Sequence, residues 1–364
     1  MRTQWTFAKS CGLAIGMLAF VTSAHAQAPS WNWSGDARLR YDMKTKRHLA
    51  SEEGSRSSSY KYTDQLLKLR ARIGASGVLP SGKVSWGVKL ATSANDKVGR
   101  NALLGGGNLG GNANVGVDLA YIGLKPTKKI DVVLGKMANP FVACDGIFDP
   151  DLTPEGAAVV IDVAKGKKGA VIKNVVNTAA YLPLDAANPL KTMMLADQIK
   201  MGIGPVNTAF AIYHTLGIKG GVYPMDQVSV LHAKAAWDLP IAKKTFPMTL
   251  GGDFWINVAN VTSGQNKDKV GGEVRLDMAK VWKGKAFVAW RNVGRYSTYA
   301  SWTDSDFGEG PGYSGLRAEY SQPILKDLNV RAAYYHYDEA KRIIGPVGAS
   351  ATDRIHVDLN AKFN

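Results

Sequence analysis

The chain has 364 residues, 45 Lys and Arg against 30 Asp and Glu, a formal net charge of +15, and two cysteines. No apolar run outside the first 26 residues approaches the 18 or so a membrane helix needs, and two cysteines cannot build a disulfide framework. The mean hydropathy of −0.13 is that of a water-soluble protein, but also of a membrane barrel whose lipid-facing and lumen-facing residues cancel.

Residues 1–26 carry a short basic start (Arg2, Lys9), an apolar run over 11–21 and the small-residue ending Ala24-His25-Ala26. This pattern predicts a secretory signal cut before Gln27, leaving 27–364 as one barrel domain. Export would leave Cys144 alone, without an intramolecular partner, as a passive loop thiol.

From Trp31 to Met43 the odd positions are Trp, Trp, Gly, Ala, Leu, Tyr and Met, and the even ones Asn, Ser, Asp, Arg, Arg and Asp. A strict period of two predicts a strand with one apolar and one charged face. After a polar loop at 45–63, Leu67, Leu69, Ala71 and Ile73 alternate with Lys68, Arg70 and Arg72. The turn Leu79-Pro80-Ser81-Gly82 returns the chain to a strand starting at Val84. Long and short connections then alternate to the end. The long ones fall at 93–116, 137–156, 183–192, 218–226, 260–267, 299–312 and 341–352, and the last strand alternates Ile355, Val357, Leu359, Ala361 and Phe363 with charged residues. The expected fold is all-β: a transmembrane antiparallel β-barrel of about 16 strands, with short periplasmic turns and long extracellular loops. The weakest alternation lies at 169–182 and 193–203.

Residues 137–156 combine three prolines with Asp145, Asp149, Asp151 and Glu155, between apolar runs that read as strands. A loop this long in a compact fold has a functional reason or is disordered. It is expected to fold into the lumen as a pore-constriction loop. The charged faces place Arg38, Arg40, Lys68, Arg70, Arg72, Arg275, Arg291, Arg317 and Arg331 on a basic lumen wall, with Asp36, Asp42, Asp253, Glu273, Asp277, Glu319 and Asp358 as inward acids. Rings of basic side chains favour anions. The alternative for any one arginine is that it only pairs with a neighbouring carboxylate and stiffens the wall. Asp149, Asp151 and Glu155 are also a candidate Ca²⁺ set, although Pro154 and Val160 stand where an EF-hand needs Gly and Glu.

The run Gly105 to Gly110 matches a dinucleotide fingerprint only formally, since no βαβ unit surrounds it, and P-loop, zinc-protease and nucleophile-elbow motifs are missing. No cofactor, metal or nucleic-acid partner is therefore expected, and the chain does not read as an enzyme.

In Trp33-Ser34-Gly35-Asp36-Ala37-Arg38-Leu39-Arg40, in 67–74, in Asp118-Leu119-Ala120-Tyr121-Ile122, in Leu134-Gly135-Lys136-Met137-Ala138-Asn139-Pro140-Phe141 and in Phe148-Asp149-Pro150-Asp151-Leu152-Thr153-Pro154-Glu155-Gly156, the chain resembles the bacterial putative porins of the outer membrane, in the style of general-diffusion and phosphate-selective porins. It implies a sixteen-stranded barrel, a homotrimer, passing small hydrophilic solutes or ions. Its partners would be outer-membrane lipid, lipopolysaccharide and those solutes. A plugged structural or adhesive barrel, an outer-membrane barrel enzyme and a soluble periplasmic all-β protein are the competing readings.

Overall fold

The computed structural model describes residues 30–48, 60–93, 101–104, 114–166, 171–217, 228–241, 245–259, 268–308, 310–339 and 350–363. The expected signal peptide, the glycine-rich 105–110 and the loops at 49–59, 218–227, 260–267 and 340–349 lie outside the described residues.

The strands are β1 (Ser30–His48), β2 (Tyr60–Val78), β3 (Val84–Ser93), β4 (Ala102–Leu104), β5 (Asn114–Thr127) and β6 (Ile130–Lys136). They continue as β7 (Glu155–Lys165), β8 (Ile172–Pro183), β9 (Met193–Ile203), β10 (Val206–Leu216), β11 (Ser229–Asp238) and β12 (Met248–Asn257). The last are β13 (Val270–Val281), β14 (Gly284–Val293), β15 (Tyr313–Leu325), β16 (Leu328–Glu339) and β17 (Ser350–Phe363). All except β4 form one antiparallel ring, each bonded to its neighbours in sequence, with β17 closing onto β1 from Gly35↔Phe363 to His48↔Ser350. Closure gives every ring strand a bonded neighbour on both sides, which is what lets a sheet sit in lipid. Among the described residues no helix is long and apolar enough to cross a membrane.

The sixteen-strand ring agrees with the sequence-based expectation, including β8 and β9 where the alternation is weakest. Two features differ. β1 and β2 run past the expected loop boundaries and pair from Ser30↔Val78 to His48↔Tyr60. β4, inside the expected loop 93–116, bonds to β2 at Leu67–Leu69, beyond the last β3 partner at Arg72. The longer β2 needs a hydrogen-bonding partner there, and β4 supplies it.

The period of two holds around the ring. Outward positions include Leu39, Ile73, Val88, Ile122, Phe210, Phe254, Trp290 and Val357, each at least 40% exposed, as an apolar belt requires. Inward positions hold buried charge such as Arg40, Arg291 and Asp358. The turns are tight: Gly204, with φ of +57°, lets β9 reverse into β10 in two residues, a backbone state glycine adopts without steric cost.

Candidate functional site

The site begins with the register of three strands. Arg38 stands opposite Arg70, Arg40 opposite Lys68, and Asp36 opposite Arg72 between β1 and β2, while Arg40 faces Asp358 on β17. Because alternate side chains share a face, this register stacks the inward bases of β1 and β2 into one patch.

That patch is laced with carboxylates. Arg40 holds Asp358 through Nε and Nη2 at 2.7 and 3.0 Å and donates from Nη1 to Asp306 at 2.8 Å. Arg72 Nε donates to Asp36 at 2.8 Å, Lys68 to Asp42 at 2.7 Å, and Arg354 grips Asp42 at 2.9 and 2.6 Å. Arg331 bridges Asp358 and Glu319 at 2.8 and 2.7 Å. Arg38 donates to Asn101 at 2.6 Å. Forked guanidinium–carboxylate bonds fix orientation as well as charge.

Residues 137–154 fold into the barrel and are fastened at several points. At the neck, Met137 N donates to Pro154 O at 2.9 Å. Gln198 on β9 clasps the Val142 backbone, accepting from its N at 2.9 Å and donating to its O at 3.0 Å. Phe148 meets Tyr213 of β10 edge-on at 4.9 Å between ring centroids. Gly146 lies so close to Trp255 and Arg291 that a Cβ there would stand 2.9 and 3.2 Å from them. The resulting apolar cluster includes Met137, Phe141, Ile147, Phe148, Tyr213, Trp255 and Tyr335, so part of the lumen along β9–β16 is packed with side chains.

The loop carboxylates divide between two environments. Asp145 accepts from Arg317 at 2.6 Å and lies 3.7 Å from Arg291. Burial alone would raise its carboxyl, but the Arg317 and Arg291 charges outweigh it and hold it below the usual range. Asp151 takes Arg70 Nη1 at 2.8 and 2.9 Å and stands 3.9 and 3.8 Å from Arg38 and Arg72. Asp149 turns away from the arginines. It is buried, accepts its loop neighbour Asp151 N at 2.7 Å, and is pushed up to about 9 by burial and then by the Asp304 charge.

Glu155 is corrected more sharply. It opens β7, pairs with Lys136 at 3.0 Å and is exposed on the outward row, because its ladder partner Lys136 shares the row of the lipid-facing Leu134. Asp151 and Glu155 therefore face opposite sides of the wall, and the candidate Ca²⁺ set does not converge. Among the described residues no group of three His, Cys, Asp or Glu side chains is placed to hold a metal ion.

The remaining predicted bases lie on the inner wall, in pairs. Arg291, 1% exposed, bonds Glu273 at 2.5 Å. Arg275, partly exposed, forks onto Asp277 two residues along its own strand and covers the Phe287 ring at 3.7 Å. Arg317 also reaches Glu319 at 2.9 Å. Cys144 is buried against the same core, and burial pushes its thiol up.

A second inward loop has no counterpart in the sequence-based site. Residues 294–308 bury Phe307 among Tyr313, Tyr335 and Tyr337. Two backbone bonds tie the loops together, Asp149 N to Trp302 O at 2.7 Å and Asp304 N to Asp145 O at 2.9 Å. Asp306 supplies the carboxylate for Arg40 and lies 3.4 Å from Arg354, and those cations hold it far below the usual range despite burial. Asp304, buried beside Asp306 and Asp145, is pushed up to about 6. The one sequence signal was Asp304-Ser305-Asp306 flanked by Trp302 and Phe307, aromatics that an exposed loop would not need.

Comparison with known proteins places this geometry. The family model described as "Putative porin" matches residues 32–203. No curated protein matches the sequence. Among solved structures, Pseudomonas putida OprB at high pH aligns with 10% identity and a TM-score of 0.57, over 92% of this chain and 94% of that one. Salmonella typhi OmpF in complex with daunomycin gives 10% identity and 0.56, over 92% and 98%. A mutant of Rh. blastica porin gives 12% and 0.53, over 92% and 100%. At such identities the likeness is one of fold.

Proposed function

We propose, for a chain recognised as a putative porin over residues 32–203 and closed into a porin's barrel, passive diffusion of small hydrophilic solutes through a basic, water-filled lumen. The bacterial outer membrane is its location, reached by export through residues 1–26, and assembly as a homotrimer among lipid and lipopolysaccharide completes the reading. The lumen is constricted by the loop 137–156, with Asp145 and Asp151 as the carboxylates that face the basic wall.

One observation carries this reading: Asp151 reaches across to within 2.8–3.9 Å of Arg38, Arg70 and Arg72. A loop carboxylate set against a row of guanidinium groups creates a field across the passage, which orients dipolar solutes and sorts charged ones. Because nearly every base of the wall shares a carboxylate, the resulting anion preference is weak to moderate. The wall is a channel lining and not a catalytic centre.

Single-channel recording of the purified protein in a planar bilayer under a KCl gradient tests this. Stepwise openings with a reversal potential favouring chloride are expected. A reversal potential favouring potassium would overturn the anion preference and make the loop acids the dominant filter.

A second reading, a plugged structural barrel, is favoured by the packing of Phe148, Tyr213, Trp255, Phe307, Tyr335 and Tyr337 inside the ring. It predicts silence from well-folded, heat-modifiable protein in the same recording.

A further inference from the structure

The arginines of the wall share their charge with carboxylates. Lys173 on β8 and Lys200 on β9 do not: among the described residues neither has an ion-pair or hydrogen-bond partner. Lys200 stands in one ladder row with Ala209 of β10 and Lys234 of β11. That row faces inward, since Gln198, Tyr213 and His232 of the same strands are buried on the same side. Gln198 clasps the inward loop, so Lys200, two residues nearer the short turn, lies just beneath it. Lys173 reaches the same place from an irregularity in β8. A Cβ on Gly202 would stand 3.5 Å from Lys173 Cβ and 3.7 Å from Asn207 Oδ1.

The wall between these groups is made of small residues. Ala209 is buried, and in the next row toward the short turns Gly202, Asn207, Ala236 and Gly251 are ladder neighbours. A Cβ on Gly251 would meet only two backbone oxygens, at 3.8 and 3.9 Å, so the space above it is open. Asp253 orients Lys234, meeting it at 2.7 Å through one oxygen and His232 at 2.7 Å through the other. Asp162, the inward carboxylate on β7, stands two strands from Lys200 across Val176 and pairs with neither free lysine. Like charges on neighbouring strands repel, and an anion between them removes that cost. Each ammonium brings three donors and no acceptor, and the Asn207 amide adds two more. Such a set suits an oxyanion, which accepts hydrogen bonds from several directions at once.

We propose that this recess on β8–β11, beneath the inward loop, binds small oxyanions such as phosphate through Lys173, Lys200, Lys234 and Asn207. The guanidinium groups at the constriction are already held by Asp36, Asp151 and Asp358, and they act on a passing solute through their field. The recess instead offers donors that only Asp253 competes for. The site deepens the channel reading above and rests on its basic lumen.

The test is calorimetric titration of inorganic phosphate into the folded, heat-modifiable barrel in detergent, at low ionic strength where charge contacts are least screened. The wild type should bind phosphate saturably. Lys200→Gln and Asn207→Leu should each weaken binding about tenfold, and Lys200→Arg should retain it. Lys89→Gln removes the same charge from the inward row of β3, opposite Gly74, and should leave the affinity unchanged. In planar bilayers phosphate should reduce the chloride current of the wild type more than that of Lys200→Gln. Wild-type protein without saturable binding overturns the proposal, as does an equal loss of affinity in Lys89→Gln. A chloride-selective channel that binds no phosphate overturns the recess and leaves the channel reading intact. Phosphate binding that depends on Lys200, in a barrel that conducts nothing, supports the recess and overturns the channel reading instead.

Discussion

Asp151, on the loop that leaves β6, binds Arg70 of β2 through both carboxylate oxygens, at 2.8 and 2.9 Å, across a sequence separation of 81 residues. The same carboxylate lies within 4 Å of Arg38 and Arg72. It is therefore the loop charge that offsets the arginine patch, alongside Asp36 of the wall. Asp151→Asn should move the reversal potential in a KCl gradient toward chloride, and Arg70→Gln should move it toward potassium. Unchanged selectivity in both variants would mean that solutes do not pass this pair.

The inward loop is held by packing as much as by charge. Phe148 is 5% exposed and touches Tyr213 and Trp302, so Phe148→Ala removes a buried ring at a cost of about 3–5 kcal/mol to the docked loop. The variant is expected to conduct more per channel, with greater current noise, and to be cut by protease within 137–154. Gly146→Val should act similarly, because its side chain would collide with Trp255 and Arg291. Wild-type conductance and protease resistance in both would show that the loop does not limit the passage.

The two loops should respond to pH through Asp149 and Asp304. Their carboxyls are pushed up, from an ordinary 3.8, to about 9 and about 6, by burial and then by each other's charge or that of Asp306. A raised native value means that the docked loops hold protons the loosened loops would release. Docking is then fully favoured below the ordinary carboxyl value and weakens as pH climbs through about 6 and then about 9. Channel noise recorded between about pH 5 and 10 should rise in that order. In Asp149→Asn the upper step should vanish. Loosening on acidification would contradict the assignment.

Arg291 and Glu273 form a pair that is 1% and 5% exposed, inside the wall beneath the loop. Removing one partner of such a pair strands the other, a loss of about 3–5 kcal/mol, whereas replacing both with apolar residues costs much less. Glu273→Leu should therefore lower the temperature of heat modification more than the double variant Glu273→Leu/Arg291→Met. Equal shifts would mean that Asp145 and Tyr313, which also approach Arg291, already satisfy it.

Apolar–charged alternation, together with the succession of long and short connections, pointed to about sixteen strands, the outward belt and the inward rows of Arg38, Arg40, Arg70 and Arg72. A strand exposes its pattern locally, because a side chain's face follows from whether its position is odd or even. The loops carry no such rule. Asp149 and Asp151 are two residues apart, yet one is buried beside Asp304 and the other meets Arg70. Glu155 belongs to the outward row because of its ladder partner Lys136. Asp306 reaches Arg40 across 266 residues, and Asp145 reaches Arg317 across 172. Those pairings exist only once the ring has closed and brought distant strands to opposite sides of one lumen. The wall was legible in the sequence, while the choice of which acid meets which base belongs to the tertiary structure.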